Sequence, residues 1–417
     1  MSKYELDFQL CQNSRIEGNV RKIIEQLCDY IFRFFDASEI EAILLIGSFS
    51  KGEGSIYISD EDKSVYLSDF EFLTVYKDEK KFAAFRKKLV EINEMTRKDF
   101  FEMGVDIEVD FGPYLTKFFK MMRPRMFTTD ILRCGKVVWG NKEVLRNIPK
   151  GIAEENIPKD DALFLLFNRI IEQTMLLESV YPEEKGDYRK TVYKLGKTYL
   201  DFITTLMAFS GKYKCGYSER ARHFNEFWEG LDSGYLKNNL ADLPSKIDYW
   251  SKFRSRPFSE GFEFEGNILD MYLDLIKTCA PIFVWVMNNY SNCNWSEDIG
   301  RLIEVGFKEE RLLTKLKGWV KLARHPYFKE KNLPVARLLR LLAKGSPKKL
   351  IYLSSCRFYF ELPNIIQNNA RLESAEIKNL LNTLPVIFEE SSDVDEVLKV
   401  LKNNLVENWK IFLKSDW

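Results

Sequence analysis

The sequence has few of the residues on which several common enzyme mechanisms depend. Only two histidines occur among the 417 residues, His223 and His325, and they are far apart. Histidine is the usual proton acceptor near neutral pH and a common metal ligand, so this scarcity argues against histidine-led catalysis or metal binding. Each histidine is predicted to be an ordinary surface or packing residue.

Closely spaced cysteines and long apolar segments are also missing. The seven cysteines are scattered, which indicates neither a disulfide framework nor a zinc site and predicts reduced, mostly buried thiols. Lys3, Glu5 and Asp7 stand near the start in place of an apolar signal core, and the longest late apolar run, from Cys279 to Met287, is too short to span a bilayer. We therefore expect a cytoplasmic protein without a membrane partner.

The charge balance leaves no excess of either sign. Lys and Arg number 62, as do Asp and Glu, which argues against a protein that binds long nucleic acids or acidic membranes mainly by phosphate attraction. A small-molecule partner is favoured over a long nucleic acid. With 417 residues, 45% of them hydrophobic, the chain can bury large cores and should divide into two or three domains.

The hydrophobic pattern predicts an α+β protein. Amphipathic helices are expected at Val20 to Phe35 and from Phe82 onward, and together with three strands they give the order helix, strand, strand, helix, strand. That order suits a small mixed sheet with helices packed on one face, to which Lys136 to Gly140 adds an edge strand.

The later part of the chain is predicted to be largely helical. Helical periodicity is found at Ala162 to Val180, Tyr188 to Phe209, Ile268 to Met287 and Asp393 to Leu413. We predict a mixed-sheet domain over 1–150, a helical domain over 151–290 that completes a cleft with it, and a C-terminal helical domain over 291–417.

The most informative motif is an apolar strand that ends in glycine and serine. Residues Ile43 to Ile46 are apolar, and Gly47 and Ser48 follow them. A glycine at a strand end lets the backbone come close to a ligand, and a short helical turn after it would direct free N–H groups at an anion. Ser48 would add a hydroxyl donor. Gly47 and Ser48 are therefore candidate phosphate-binding residues.

A second predicted strand carries two acids, Asp69 and Glu71, at alternate positions. Residues two apart on a strand share one face, so the two carboxylates project together. Such acids are costly to desolvate unless a positive group meets them. Mg²⁺ is the natural candidate, because it takes one or two carboxylates and completes its shell with water and substrate phosphates. Asp69 and Glu71 are therefore predicted metal ligands.

A third acid should reach the same site from another strand, predicted at Val105 to Phe111. Asp106, Glu108 and Asp110 share one face of it, and the sequence alone does not choose among them. The chosen acid would face the metals and, as general base, accept the proton of the attacking hydroxyl. The alternative is a half-exposed edge strand with a solvated acidic face.

This ordered set of motifs resembles the DNA polymerase β-like nucleotidyltransferase superfamily. In that family a Gly-Ser turn precedes an Asp-x-Asp or Asp-x-Glu pair and a third carboxylate, as Gly47-Ser48, Asp69-x-Glu71 and the later strand acid do here. The arrangement is also similar to uncharacterised nucleotidyltransferases of bacterial and archaeal polysaccharide gene clusters. The resemblance covers about the first third of the chain.

The resemblance implies an activity and roles for the residues. It implies transfer of a nucleoside monophosphate from a nucleoside triphosphate to an acceptor hydroxyl, with two Mg²⁺ ions, or Mn²⁺ in their place, and with release of pyrophosphate. The Gly-Ser pair would contact the triphosphate, and Asp69 and Glu71 would hold the metal. Asp110 would be the third acid, because it stands three positions before Pro113, as in the strand ending of several branches.

Two departures from the family pattern concern the insert and the second acid. The insert from Ile56 to Ser68 is longer than the usual connection, which makes it a candidate acceptor loop, and its polar run from Ser59 to Ser64 is predicted to be exposed. Glu71 replaces the more frequent second aspartate, which changes the expected metal geometry.

The helical part offers two candidate cations. In Tyr193-Lys194-Leu195-Gly196-Lys197, Lys194 and Lys197 lie three apart and share a helix face, so they are predicted to bind the triphosphate. The alternative is a pair of solvated lysines on an amphipathic helix.

Three functions remain open at this level. The first is nucleotidyl transfer to a small acceptor such as a sugar. The second is a synthase of a nucleotide second messenger, which would join nucleotides to each other. The third is a catalytically silent nucleotide-binding or interaction module, which would be favoured if Glu71 and the long insert distorted the metal site.

Overall fold

The computed structural model describes residues 3–12, 14–59, 61, 63–181, 187–259, 261–291, 295–305, 312–324, 335–367, 384 and 397–412. Outside these ranges lie Asp60 and Asp62 of the polar run in the insert, Cys293 among the seven cysteines, His325, and the two ends of the last predicted helix, Asp393 and Leu413.

The fold class is confirmed as α+β, with a small mixed sheet near the N-terminus. Four strands form the sheet: β1 (Ile40–Ile46), β4 (Phe70–Tyr76), β5 (Val109–Leu115) and β6 (Lys136–Gly140). Their order is β5-β4-β1-β6, with β4 parallel to β5 and β1 antiparallel to β4 and β6. The predicted edge strand is therefore present as β6.

The candidate acceptor loop contains a second, two-stranded sheet. β2 (Ile56–Ile58) pairs with β3 (Ser64–Tyr66) in antiparallel register, so the insert forms a β-hairpin and Ser64, the last residue of the predicted exposed run, belongs to its second strand. The apolar and aromatic residues of these short strands are the local signal for it.

Two long helices cover one face of the four-stranded sheet. They are α1 (Ser14–Phe32) and α3 (Phe82–Glu102), which confirms the order helix, strand, strand, helix, strand. Buried residues of α1 recur at helical spacing, as Val20, Ile24, Leu27 and Ile31 show. They form one core with alternate residues of the strands because successive strand residues point to opposite faces.

The opposite face is covered as well, which corrects the prediction that helices pack on one face only. Short helices lie there: α4 (Thr116–Lys120), α5 (Met126–Cys134) and a 3₁₀ helix at Lys142–Asn147. Phe119, Ile131 and Val144 bring them into a core with Leu44 and Val75 of the sheet. These elements are too short to show a clear helical period in the sequence.

The rest of the described chain is helical, as predicted. The α-helices described there are α6 (Lys159–Met175), α7 (Tyr188–Phe209), α8 (Tyr217–Gly230), α9 (Gly234–Asn239), α10 (Leu243–Ser255), α11 (Ile268–Ser291), α12 (Ile299–Val305), α13 (Leu312–Arg324), α14 (Val335–Lys344), α15 (Pro347–Gln367) and α16 (Val397–Phe412). Among the described residues, no helix is both long and apolar enough to cross a membrane.

The chain forms two compact units that are discontinuous in sequence. The first comprises 1–162, 203–231 and 244–265, and the second comprises 163–202, 232–243 and 266–417. The three-domain division at residues 150 and 290 stays a prediction. Every element around the Gly-Ser motif that is described below belongs to the first unit.

One pair of cysteines departs from the expected reduced state. The structure joins Cys134, at the end of α5, to Cys215, just before α8, across a sequence separation of 81. Among the described residues, Cys11, Cys28, Cys279 and Cys356 are free and buried, as expected. The pairing was not visible in the sequence because the two cysteines meet only through the tertiary fold.

Candidate active site

Gly47 brings the end of β1 against the carboxylate of Glu71. Its φ of +69° lies in the left-handed region, which glycine adopts at little cost. Glu71 faces Ile46 across the antiparallel pair, and a Cβ built on Gly47 would lie 1.8 Å from Glu71 Oε2. Glycine is therefore required here both for the backbone conformation and for the space that Glu71 occupies.

Asp110 lies beside Glu71 on the neighbouring strand. The two residues are register partners in the parallel pair of β4 and β5, and such partners point to the same face of a sheet at a strand spacing of about 4.8 Å. Asp110 is exposed and Glu71 is half-buried. The fold thus brings together two of the predicted acids at the corner formed by Gly47.

Asp69 immediately precedes β4 and is exposed. It stands two positions before Glu71, next to Phe70. The Phe70 ring stacks on Phe49 with centroids 4.2 Å apart, and Phe49 belongs to α2 (Gly47–Ser50), the predicted short turn after β1. This buried stack joins the Gly-Ser turn to the segment that carries Asp69.

The third predicted strand begins four residues later than expected, at Val109, which separates the three candidate acids. The chain first passes a turn at Gly104, whose φ is +78°, so Asp106 and Glu108 precede the strand. Glu108 pairs with Arg97 of α3, with 3.3 Å between Nε and Oε2. Only Asp110 of the three lies within β5.

Asn93 on α3 holds the Asp110 carboxyl and the adjacent backbone together. Its Nδ2 donates to Asp110 Oδ1 at 3.2 Å, and its Oδ1 accepts from the backbone N–H of Phe111 at 2.8 Å. Because the Asn93 amide bonds to both the Asp110 side chain and the next peptide, it restrains the Asp110 carboxyl on the edge strand. No local sequence pattern indicates this contact, because Asn93 lies on another element.

A buried arginine on a helix that is distant in sequence forms a hydrogen bond with the Ser48 side chain. Arg254, on α10, donates from Nη2 to Ser48 Oγ at 2.8 Å across 206 positions of sequence. Its Nη1 donates to the backbone carbonyl of Glu53 at 2.8 Å, and the residue is 4% exposed. The guanidinium lies over the Tyr217 ring, 4.5 Å from its centroid.

Glu53 connects the Gly-Ser loop to the start of α8. Its carboxylate accepts the backbone N–H groups of Tyr217, at 2.9 Å, and Ser218, at 2.7 Å. Burial alone would raise the pKa of Glu53, but the charge of Arg254, these two N–H donors and the charge of Arg220 hold it below its usual value. Glu53 is therefore a buried carboxylate ion that stabilises the loop.

We expect Glu53→Gln to destabilise the first unit, because it removes a buried negative charge from beside two buried arginines. Breaking such a group typically costs about 3–5 kcal/mol in the free energy of unfolding. The measurement is denaturant unfolding near neutral pH. A loss below about 1 kcal/mol would contradict the assigned role.

The acid dependence gives a second readout of the same variant. The pKa of Glu53 is lower in the folded protein than in the unfolded chain. Its contribution to the free energy of unfolding is therefore fully present above the ordinary glutamate pKa of about 4.3, and it is lost as the pH falls through the pKa of the folded state. Glu53→Gln should abolish this loss of stability at low pH. Glu226→Gln is the control on α8, because the Glu226 side chain is 89% exposed, and it should change stability by less than about 0.5 kcal/mol.

The hairpin in the insert packs against a residue with a strained backbone. Phe258 has a φ of +56°, in the left-handed region that costs a bulky residue energy. Its ring meets Tyr57 of β2 edge to face, with centroids 5.3 Å apart, and Phe253 of α10 at 5.0 Å. These contacts hold one strand of the candidate acceptor loop.

Lys194 and Lys197 lie on α7 in the part of that helix that belongs to the second unit. Lys194 is exposed and Lys197 is half-buried. Their contact with a nucleotide stays a prediction.

The donor set at this corner fits a magnesium ion that shares its ligands with a nucleotide. In the part of the chain that the structure describes, no group of three or more His, Cys, Asp and Glu side chains is arranged to hold a metal by itself. Mg²⁺ needs no such group, since one or two carboxylates, water and substrate phosphates commonly suffice. Glu71 and Asp110 supply two carboxylates beside the turn at Gly47.

Comparison with known proteins does not add a family to this geometry. The chain matches no protein-family model, no curated protein and no solved structure. A functional conclusion therefore depends on the residues of the site.

Proposed function

We propose that the protein is a Mg²⁺-dependent nucleotidyltransferase that moves a nucleoside monophosphate from a nucleoside triphosphate to a hydroxyl of a small acceptor. The observation that carries the proposal is the position of Glu71 on β4, which lies against Gly47 at the end of β1 and in register with Asp110 on β5. The Gly-Ser motif and the acids are also the residues for which the sequence pattern predicts this chemistry.

Each residue has a role in the proposed reaction. The acceptor oxygen attacks the α-phosphorus, the bond from that phosphorus to the bridging oxygen breaks, and pyrophosphate leaves. Asp110 accepts the proton of the attacking hydroxyl. The Ser48 hydroxyl donates a hydrogen bond to the triphosphate, and Gly47 lets the backbone approach the triphosphate.

Asp69, Glu71 and Asp110 would hold the magnesium ions. Bound there, two ions would orient the attacking and leaving oxygens and offset developing charge. The exposure of Asp69 and Asp110 leaves these carboxylates accessible to a ligand from solvent.

The activity is tested by pyrophosphate release. Purified protein with Mg²⁺, each of the four labelled nucleoside triphosphates and a panel of sugars should release pyrophosphate and transfer label to an acceptor. Asp69→Asn should abolish the release. Release that is unchanged in Asp69→Asn would contradict the proposal, and label found only in linked nucleotides without an added acceptor would favour a second-messenger synthase.

A silent nucleotide-binding module is the second candidate, because the described residues contain no preformed group of three metal ligands. Calorimetry separates the two. Nucleotide binding that is indifferent to Mg²⁺, together with no product from any substrate pair, would favour the module over the enzyme.

A further inference from the structure

The hydrogen bond between Arg254 and Ser48 restricts what the Ser48 hydroxyl can do. A guanidinium has N–H donors and no acceptor, so Ser48 Oγ must accept in this 2.8 Å bond. The hydroxyl hydrogen is thereby directed away from Arg254. Because Ser48 is partly exposed, this hydrogen is available to an acceptor on a bound molecule.

Arg254 is itself held in one orientation. Its Nη1 donates to the Glu53 carbonyl at 2.8 Å, its own carbonyl accepts from Ser55 Oγ at 2.9 Å, and its guanidinium lies over the Tyr217 ring. The planar fork of arginine is preorganised, so such a side chain loses little further freedom when a ligand binds. Its fixed positive charge also favours an anion on the far side of Ser48.

A comparison with Arg220 shows that the hydrogen bond to Ser48 is specific to Arg254. Arg220 is equally buried, at 3% exposure, and lies over the same Tyr217 ring at 4.5 Å. Its Nη1, however, donates to the backbone carbonyl of Lys214, at 2.7 Å. The two arginines thus share burial, charge and an aromatic partner, but only Arg254 bonds to Ser48.

We infer that Arg254 is a positioning residue for nucleotide binding, which fixes the Ser48 hydroxyl as a donor to a phosphate oxygen of the nucleoside triphosphate. This inference rests on the proposed function and goes beyond it, because it adds a residue of α10, outside all of the sequence motifs, to the triphosphate site.

A double-mutant cycle tests the inference. Calorimetry measures the dissociation constants of the α,β-methylene analogues of ATP, GTP, CTP and UTP, with Mg²⁺, for the wild type, Ser48→Ala, Arg254→Lys and the double variant. Arg254→Lys and Ser48→Ala should each weaken binding of the preferred analogue about tenfold, the size expected for one charge-assisted hydrogen bond. The double variant should be about tenfold weaker as well, because both changes remove one interaction.

The control is Arg220→Lys, which should leave the dissociation constant within about twofold of the wild type. Denaturant midpoints establish that each variant is folded, and Arg254→Gln, whose amide keeps one donor, takes the place of Arg254→Lys if the latter does not fold. A roughly hundredfold effect in the double variant, or equal weakening by Arg220→Lys, would overturn the role of Arg254. A wild type that binds none of the analogues would overturn the proposed function, and the inference with it.

Discussion

Replacing Asp110 with asparagine should lower the rate of pyrophosphate release by about 10²–10⁴-fold, the range that a positioned proton acceptor usually contributes. Asparagine keeps the size of the side chain and its contact with Asn93, which is 3.2 Å away, but it cannot accept the proton of the acceptor hydroxyl. The measurement is the steady-state rate at saturating nucleotide and Mg²⁺, with the denaturant midpoint as the test of folding.

Glu108→Gln provides the matched control. Glu108 stands two positions earlier and is also acidic and exposed, but it precedes β5 and pairs with Arg97. The rate of pyrophosphate release by Glu108→Gln should stay within about twofold of the wild type, since exposed ion pairs contribute little to stability. If Glu108→Gln lost activity and Asp110→Asn did not, the third acid would be wrongly assigned.

Gly47→Ala should reduce activity by about 10²-fold or more, because the new Cβ would occupy the place of Glu71 Oε2, 1.8 Å away. The Glu71 carboxylate must then move, and a displacement of about 1 Å at a reacting site can cost that much. The alanine also pays roughly 1–2 kcal/mol for its left-handed backbone.

Gly52→Ala separates the displacement of Glu71 from the backbone strain. Gly52 has a φ of +70°, nearly the same as Gly47, but the nearest atom to its added Cβ is the backbone oxygen of Gln9 at 3.3 Å. Both variants should lose similar stability, and only Gly47→Ala should lose most of its pyrophosphate release. Equal losses of activity would show that the loop conformation matters and that the space for Glu71 does not.

Features that depend on local periodicity could be predicted from the sequence. The apolar run into Gly47 marked the end of β1, and Glu71 lies within the second predicted strand, β4, although Asp69 immediately precedes that strand. The order of helices and strands followed from the same periods, since period 2 and period 3.6 are properties of short segments.

Features that depend on tertiary register could not be predicted. The alternating pattern left Asp106, Glu108 and Asp110 open, and only the family resemblance favoured Asp110. The late start of β5, after the turn at Gly104, and its pairing with β4 set Asp110 level with Glu71, which no local pattern shows. Arg254 carries no local signal, because its contact with Ser48 spans 206 positions. Burial and pairing of that kind are set by the fold and not by neighbouring residues.

In the proposed function, Glu71 and Asp110 hold a divalent ion together with a nucleotide beside Gly47. The most direct test is a crystal structure of the protein with Mn²⁺ and an α,β-methylene nucleotide, in which anomalous scattering locates the metal. We expect a manganese peak within coordination distance of both carboxylates, with the triphosphate against Ser48. A nucleotide bound elsewhere, or manganese absent from these two carboxylates while the nucleotide is present, would contradict the account.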